Sequence, residues 1–524
     1  MATQPSMQTR GALVQAGIQV LAVKEELRRN LIRRKREGKP VFTGLVGYEH
    51  TVIPQIENAL FSKHDFLLLG LRGQAKTRLL RQLTGLLDEW SPAVAGCQIN
   101  DDPYAPLCKR CRRVAVEAGD DLPIVWLHRD ERYHEKLATP DVTIADLIGD
   151  IDPIKAARDR LTFADEEVVH FGLVPRTHRG IFALNELPDL QPRIQVGLLD
   201  IMEEKDFQIR GFPVRLRIDI LMVFAANPED YTNRGNIITP LKDRIASQIL
   251  THYPQSVQDA IRITDQEAWT ERGSDCRIPD YFRVIVEQVA FEARKSEFVD
   301  QSSGVSARVS IAAYENLWSN MERRGLETGE SPVYARIADL HAIVPALSGK
   351  IELVYEGEQQ GPDAVARHLV GQAVKSVFAQ HFPPVAPQGK GRRSPKSGDE
   401  PQDAALDVPS GESRSTASTG RETGGASRHS AYDRVVGWFS GGKRIEISDQ
   451  MRQADYAAAL RQVDGLEEVA RRCLPQADEG ALPGVMELIL EGLYQNSFVA
   501  KETVERSTFY SDMLLRMFDR MRSE

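Results

Sequence analysis

The eight residues Gly70-Leu71-Arg72-Gly73-Gln74-Ala75-Lys76-Thr77 constrain this chain more than any other feature. They follow an apolar run at residues 66–69 and precede a helical pattern at 78–87. Strand, loop, helix is the context that a phosphate-binding loop needs. In that context the backbone N–H groups of the loop and helix start converge on phosphate oxygens. Lys76 reaches the terminal phosphates, and Thr77 places its hydroxyl on Mg²⁺. One position departs from G-x-x-x-x-G-K-[ST]: Ala75 stands where the second Gly is expected. Its Cβ costs little only if the backbone angle there is allowed for alanine. The bland alternative is an ordinary strand–turn–helix with a chance Lys-Thr.

The surrounding pattern fixes the fold class. Continuous apolar runs at 66–69, 124–127, 180–184 and 220–225 read as buried strands. Runs of this kind suit a parallel sheet covered on both faces, and the helical patterns between them give an α/β core. The reading is an N-terminal helical segment at 1–40 and an α/β nucleotide-binding core with inserts at 41–265. A helical lid at 266–382, a disordered linker at 383–430 and a helical C-terminal domain at 431–524 follow. Residues 383–430 are rich in Pro, Gly and Ser and hold no aromatic residue, so they cannot bury enough apolar surface to offset ordering entropy. Helices are expected near 281–298 and 306–323. The basic run at 28–36 is diluted by Glu25, Glu26 and Glu37 and reads as a solvated helix face.

Composition closes off other classes. The 524 residues carry a net charge of -9, which argues against a chain dominated by nucleic-acid binding. Five cysteines are too few for a disulfide scaffold and point to a reducing, cytoplasmic setting. No run approaches the roughly 18 apolar residues of a membrane span.

Two more signals follow the loop. The apolar run at 180–184 ends in Asn185-Glu186. In a P-loop ATPase this tip carries an acidic pair, whose first member holds the Mg²⁺ shell and whose second polarises the attacking water. Glu186 fits the second role. Asn185 accepts a hydrogen bond from metal-bound water but brings no negative charge. The next strand ends in Asn227-Pro228-Glu229, and Asn227 is placed to orient water. Downstream, Arg244 in Asp243-Arg244 can reach a neighbouring subunit's nucleotide, and Arg308 opens a later helix within Ser306-Ala307-Arg308. Alone, Asn185-Glu186 would be a strand-end turn and the two arginines surface residues. Their order after the phosphate loop gives them weight.

That order resembles an AAA+ ATPase. More narrowly it resembles the ATPase (I) subunit of magnesium chelatase and the MoxR group. The narrowing residues are Phe42-Thr43-Gly44-Leu45-Val46-Gly47, Leu147-Ile148-Gly149-Asp150, Phe171-Gly172-Leu173-Val174, Arg179-Gly180-Ile181 and Asp243-Arg244. The resemblance covers about 41–317. It implies a P-loop AAA+ core with a helical lid, and a homo-hexameric ring with ATP held between subunits. Gly70, Gly73, Gln74, Ala75, Lys76, Thr77 and Arg308 would bind the nucleotide. Glu186 would be the catalytic base, Asn227 sensor 1, Arg244 the arginine finger and Arg308 sensor 2, with Thr77 and Asn185 at Mg²⁺. The inserts at Gly149-Asp150 and 203–218 would touch partners, the usual one being a protein with a von Willebrand factor A domain. The family usually has Asp where this chain has Asn185. The linker and the unit after Tyr432 lie outside the resemblance, and no residue here makes a porphyrin site.

Three functions compete. One is a motor that hydrolyses ATP to remodel a partner or assist its metal or cofactor insertion. Another is a nucleotide-gated scaffold in which Asn185 leaves hydrolysis negligible. The third is a transcription activator on the same core, which lacks its Gly-Ala-Phe-Thr-Gly-Ala loop here. Separately, Cys97, Cys108 and Cys111 have zinc-like spacing, with His128 or His134 needed as a fourth ligand. Three free thiols in an insertion are the alternative, and Cys276 and Cys473 look unrelated.

Overall fold

The structure is a computed structural model. It describes residues 3–162, 165–204, 206–208, 215–228, 236–385, 431–504 and 507–513. Five strands form one sheet: β1 (Phe66–Leu69), β2 (Tyr133–Leu137), β3 (Gly180–Asn185), β4 (Ile220–Ala226) and β5 (Ser247–Leu250). Their order is β5-β1-β4-β3-β2, and every pairing is parallel. β3 and β4 are buried at every residue, as their unbroken apolar sequences require. All five strands point the same way. The loop at Gly70, the Asn185-Glu186 tip and Asn227 therefore gather at one edge, the carboxyl end where open α/β sheets bind ligands.

Two of these strands carry no continuous apolar run. β2 reads Tyr-His-Glu-Lys-Leu and β5 reads Ser-Gln-Ile-Leu. Both are edge strands with one side half-exposed, so polar residues are tolerated there. Conversely, the run expected at 124–127 is a strand of Ile124–His128 outside this sheet. It pairs antiparallel with Trp90–Val94. Its alternating exposure, with Val125 41% exposed, is that of an antiparallel pair with one covered face.

Each face of the sheet has its own core. On one side Phe66, Leu68, Ile181, Ala183, Leu221 and Val223 pack against α1 (Val23–Arg36), α2 (Val52–Phe61) and α3 (Lys76–Gln82). On the other, Leu67, Phe182, Leu184, Met222 and Phe224 pack with the insert, including α4 (Lys109–Ala118), α5 (Pro192–Glu203) and α6 (Thr239–Arg244). The alternation of side-chain direction along each strand assigns successive residues to the two cores. The basic run on α1 is partly used in packing: Arg34 donates to Gly85 O at 2.6 Å and Arg29 pairs with Asp88 at 2.5 Å.

Helices α7 (Val257–Glu267), α8 (Asp280–Ala293) and α9 (Ala307–Thr328) follow the sheet. The inserts are short antiparallel pairs: Gly149–Ile151 with Val169–Phe171, and Asp206–Gln208 with Arg215–Arg217. Two compact units result. One comprises Met1–Arg272, Val286–Leu317 and Ala342–Leu369. The other comprises Gly273–Ile285, Trp318–His341 and Val370–Glu524. In the second, α10 (Leu482–Gln495) is buried along most of its length and holds two buried acids. Glu487 accepts from Tyr456 Oη–H at 2.6 Å, and Glu491 from Tyr510 Oη–H at 2.9 Å and Lys501 Nζ at 2.8 Å. This unit has the expected C-terminal helices and, in addition, an antiparallel sheet of Ile445–Ser448, Ser507–Ser511 and Ala500–Val504. Beyond its first three residues, the linker expected at 383–430 lies outside the described residues. Among the described residues no helix is long and apolar enough to cross a membrane.

Candidate functional site

A cleft of about 1060 Å³ opens at the carboxyl edge of the sheet. That is at the upper end of the ~300–1,000 Å³ usual for cofactor pockets. Gly73, Gln74, Ala75, Lys76, Thr77, Glu186, Asn227 and Arg308 all line it. Its lining has seven cationic side chains, Arg34, Arg72, Lys76, Arg78, Arg81, Arg129 and Arg308, against three carboxylates, Asp130, Glu186 and Glu267. In a chain of net charge -9 this local excess of four positive charges suits a polyanion.

The loop is built without room for side chains. A Cβ on Gly70 would collide with Thr251 Oγ1 and Gln74 Oε1, which are themselves hydrogen-bonded at 2.6 Å. A Cβ on Gly73 would collide with Ser306, and Gly73 has φ +74°. Ala75 sits at φ 54°, ψ 20°, in the left-handed region where alanine is strained by about 1–2 kcal/mol. The backbone therefore keeps the turn that glycine would make, despite the Cβ. Arg72 ties the loop to later segments of the chain, with Nε donating to Ser303 O at 3.1 Å and an ion pair to Glu352 at 2.7 Å. Tyr48 Oη lies 2.9 Å from Gln74 O and 2.8 Å from His252 O, and burial pushes its pKa up.

Three polar groups that follow three neighbouring strands are joined in a line. Lys76 Nζ donates to Gly70 O, to Leu71 O at 3.0 Å and to Asn227 Oδ1 at 2.7 Å. Asn227 Nδ2 donates to Glu186 Oε2 at 2.7 Å. The ammonium and the carboxylate thus fix both ends of the Asn227 amide. Glu186 has φ 54°, ψ 47°, a conformation costly for a non-glycine residue and common at functional sites.

Asn185 and Arg244 are placed elsewhere. Asn185 is buried and does not line the cleft. Its Nδ2 donates to Glu135 Oε1 at 2.8 Å, and its Oδ1 makes no hydrogen bond. Glu135 comes from β2, where Glu135 lies beside Ala183 in register, and it also accepts from Arg81 Nε at 2.7 Å. Arg81 lies one helical turn past Thr77 on α3. No sequence motif spans the distance from 135 to 185; the parallel pairing of β2 with β3 brings Glu135 to Asn185. Arg244, at the end of α6, does not line the cleft of its own chain and pairs with Glu203.

The three cysteines do converge, but not with a histidine. Cys97, Cys108 and Cys111 meet Asp101, whereas His128 lines the cleft and His134 lies on β2 with its Nδ1 buried and unpartnered. Burial and then Arg176 depress the His134 pKa. Cys276 and Cys473 are free thiols and join no such group among the described residues.

A family profile described as the sigma-54 interaction domain matches residues 159–249. The span includes β3, Glu186, β4, Asn227 and Arg244. No curated protein sequence matches the chain. Among solved structures, NtrX from Brucella abortus is 12% identical over 61% of this chain and 55% of its own, with a TM-score of 0.31. The chain therefore spans little more than half the length of that protein. A complex of the BchI and BchD subunits of magnesium chelatase is 18% identical over 62% of this chain and 99% of its own, with a TM-score of 0.31. Hsp104 bound to ATPγS and casein is 12% identical over 60% and 52%, with a TM-score of 0.35. Likenesses this distant say nothing about activity. The strand order, the phosphate loop after β1 and the profile match give this chain an AAA+ fold and a resemblance to the AAA+ ATPases.

Proposed function

We propose that the chain is an ATP-hydrolysing ring motor that remodels a partner protein, or assists its metal or cofactor insertion, in the manner of the magnesium-chelatase and MoxR group. The observation that carries this is the line Lys76–Asn227–Glu186 along a cationic cleft. The loop fits a nucleotide, because Gly70 and Gly73 let it turn tightly against Thr251, Gln74 and Ser306, where a Cβ would collide. Bound Mg²⁺·ATP supplies the phosphoryl group and the charge that the cationic lining neutralises. Lys76 and Arg308 would hold phosphate oxygens and the Thr77 hydroxyl would face the metal, while Asn185, which does not line the cleft, would act on the metal's side only from behind that lining. The Glu186 carboxylate accepts the proton of the attacking water. Asn227, held between Lys76 and Glu186, orients that water. Arg244 serves the cleft of a neighbouring copy in a homo-hexamer, and the partner is a von Willebrand factor A domain protein, in the cytoplasm.

We infer that Glu135 supplies the negative charge that Asn185 lacks, acting through the Asn185 amide. A second reading, the nucleotide-gated scaffold, is favoured by the same pair if Asn185 stays engaged with Glu135 and turnover is negligible. Mg²⁺-dependent phosphate release by the purified protein tests the two. The motor reading expects release that falls sharply in Lys76→Ala and Glu186→Gln. The scaffold reading expects ATP-dependent oligomers and no release.

A further inference from the structure

The segment between Gly96 and α4 is folded around sulfur. Gly96 at φ +68° and Asn100 at φ 57° turn the chain about Cys97. Its Sγ accepts from both Ile99 N–H and Asp101 N–H at 3.4 Å. Cys108 caps the start of the ten-residue helix α4, and its Sγ accepts from Cys111 N–H at 3.3 Å. Backbone N–H groups thus point at two of the three sulfurs.

The fourth member is Asp101. It is fully buried, its Oδ2 accepts from Cys108 N–H at 3.0 Å, and its Oδ1 has no hydrogen-bond partner. A buried carboxylate with an unmatched oxygen is costly unless a cation faces it. Cys111 is likewise fully buried, and one donor atom from each of the four residues lies within 4.8 Å of all the others.

These distances select the kind of metal. Zn–S bonds of ~2.3 Å and Zn–O bonds of ~2.0–2.2 Å place tetrahedral donors about 3.5–3.8 Å apart. A contraction of about 1 Å from the widest allowed spacing brings all four donors onto one such ion. Thiolates carried by different irons of a cluster stand further apart than ligands of a single ion, so the packing disfavours an iron–sulfur centre. Three thiolates and a carboxylate around Zn²⁺ leave a net charge of -2. The Arg110 guanidinium, which donates to Gly96 O at 3.0 Å and lies 3.9 Å from Cys111 Sγ, partly offsets it.

We propose that Cys97, Asp101, Cys108 and Cys111 form a closed structural zinc site. Four protein ligands leave no open position for a substrate, which separates this centre from catalysis. The ion joins the loop after Trp90–Val94 to the first turn of α4. Each cysteine sulfur enters as thiolate, so loading releases up to three protons to solvent.

The test is metal content of the full-length protein, purified under reducing conditions and dialysed against a zinc-selective chelator at low concentration. One zinc per chain is expected by elemental analysis. Cys108→Ser/Cys111→Ser should hold less than about a tenth of that, and Asp101→Asn should lose zinc to a chromogenic chelator at least ~10-fold faster. Lys76→Ala should keep its zinc. Because the double variant can misfold, Co²⁺ replacement in the wild-type chain gives a second readout. Intense visible bands of tetrahedral thiolate-bound cobalt support the site, and a change in those bands in Asp101→Asn assigns the carboxylate. A zinc-free wild-type protein after reconstitution, full zinc in the double cysteine variant, or iron with sulfide in place of zinc would each overturn the proposal.

Discussion

Replacing Glu135 tests whether it supplies the negative charge behind the proposed Mg²⁺ position. The Asn185 amide nitrogen and Glu135 Oε1 are 2.8 Å apart. In Glu135→Gln the pair becomes two amides and the site loses its carboxylate. Loss of an outer-sphere ligand of this kind costs about 10–100-fold in metal affinity or rate. A phosphate-release assay across a Mg²⁺ titration should therefore show lower turnover and a higher Mg²⁺ requirement. The reverse change, Asn185→Asp alone, sets two carboxylates at about that same 2.8 Å. At an effective dielectric near 20 their repulsion is about 6 kcal/mol, or roughly four pKa units. Arg81, whose side chain is 65% exposed, offsets only part of this. The two acids should then share a proton near neutral pH, and turnover should gain little. The double variant Asn185→Asp/Glu135→Gln exchanges amide and carboxylate and should recover most of the activity lost in Glu135→Gln. Unchanged turnover and Mg²⁺ dependence in Glu135→Gln would refute the assignment. A large gain in Asn185→Asp alone would favour the scaffold reading.

Other measurements address separate parts of the structure. Glu186→Gln should bind ATP normally while phosphate release falls by ~10²–10⁴-fold, and retained turnover would remove Glu186 as the base. Ala75→Gly should relieve about 1–2 kcal/mol of left-handed strain but add about 0.4–1 kcal/mol of unfolded-chain entropy. A net gain near 0.5 kcal/mol is expected by urea denaturation, and a clear loss would mean the Ala75 Cβ packs usefully. His178 is buried and its pKa is lowered to about 3, first by burial and then by Arg179. The unfolded chain takes up the proton first, so the stability from neutral His178 is full above pH 6.5 and is lost toward about pH 3. Its share of the acid limb is about 1.4 kcal/mol per pH unit, and His178→Gln should flatten that limb by this amount. An unaltered slope would place the acid sensitivity elsewhere.

The parts of the fold legible in the sequence are those governed by local pattern. Phe66–Leu69, Gly180–Asn185 and Ile220–Ala226 are central strands, buried on both faces, so their apolar runs announce them. Tyr133–Leu137 and Ser247–Leu250 are edges, where one side faces water and the run is diluted. Ile124–His128 shows the opposite failure, since an apolar run does not say which sheet receives it. At the cleft, the loop and Glu186 follow from motif order, while their connection through Asn227 depends on strand register. Asp101 was hidden by chemistry: thiol spacing leads the eye to histidine, and a carboxylate four residues after Cys97 looks like any surface acid until its burial is known.

The Glu135–Asn185 pair has a consequence for how such chains diverge. If a negative charge is needed at one point in space, either of two adjacent strands can carry it. Selection then acts on the sum of two positions fifty residues apart, and not on the strand tip alone. Relatives with an acid at the position of Asn185 should tend to be neutral at the position of Glu135, and relatives with neither should have lost turnover. A substitution that looks like decay in a linear motif would then be half of a compensated exchange.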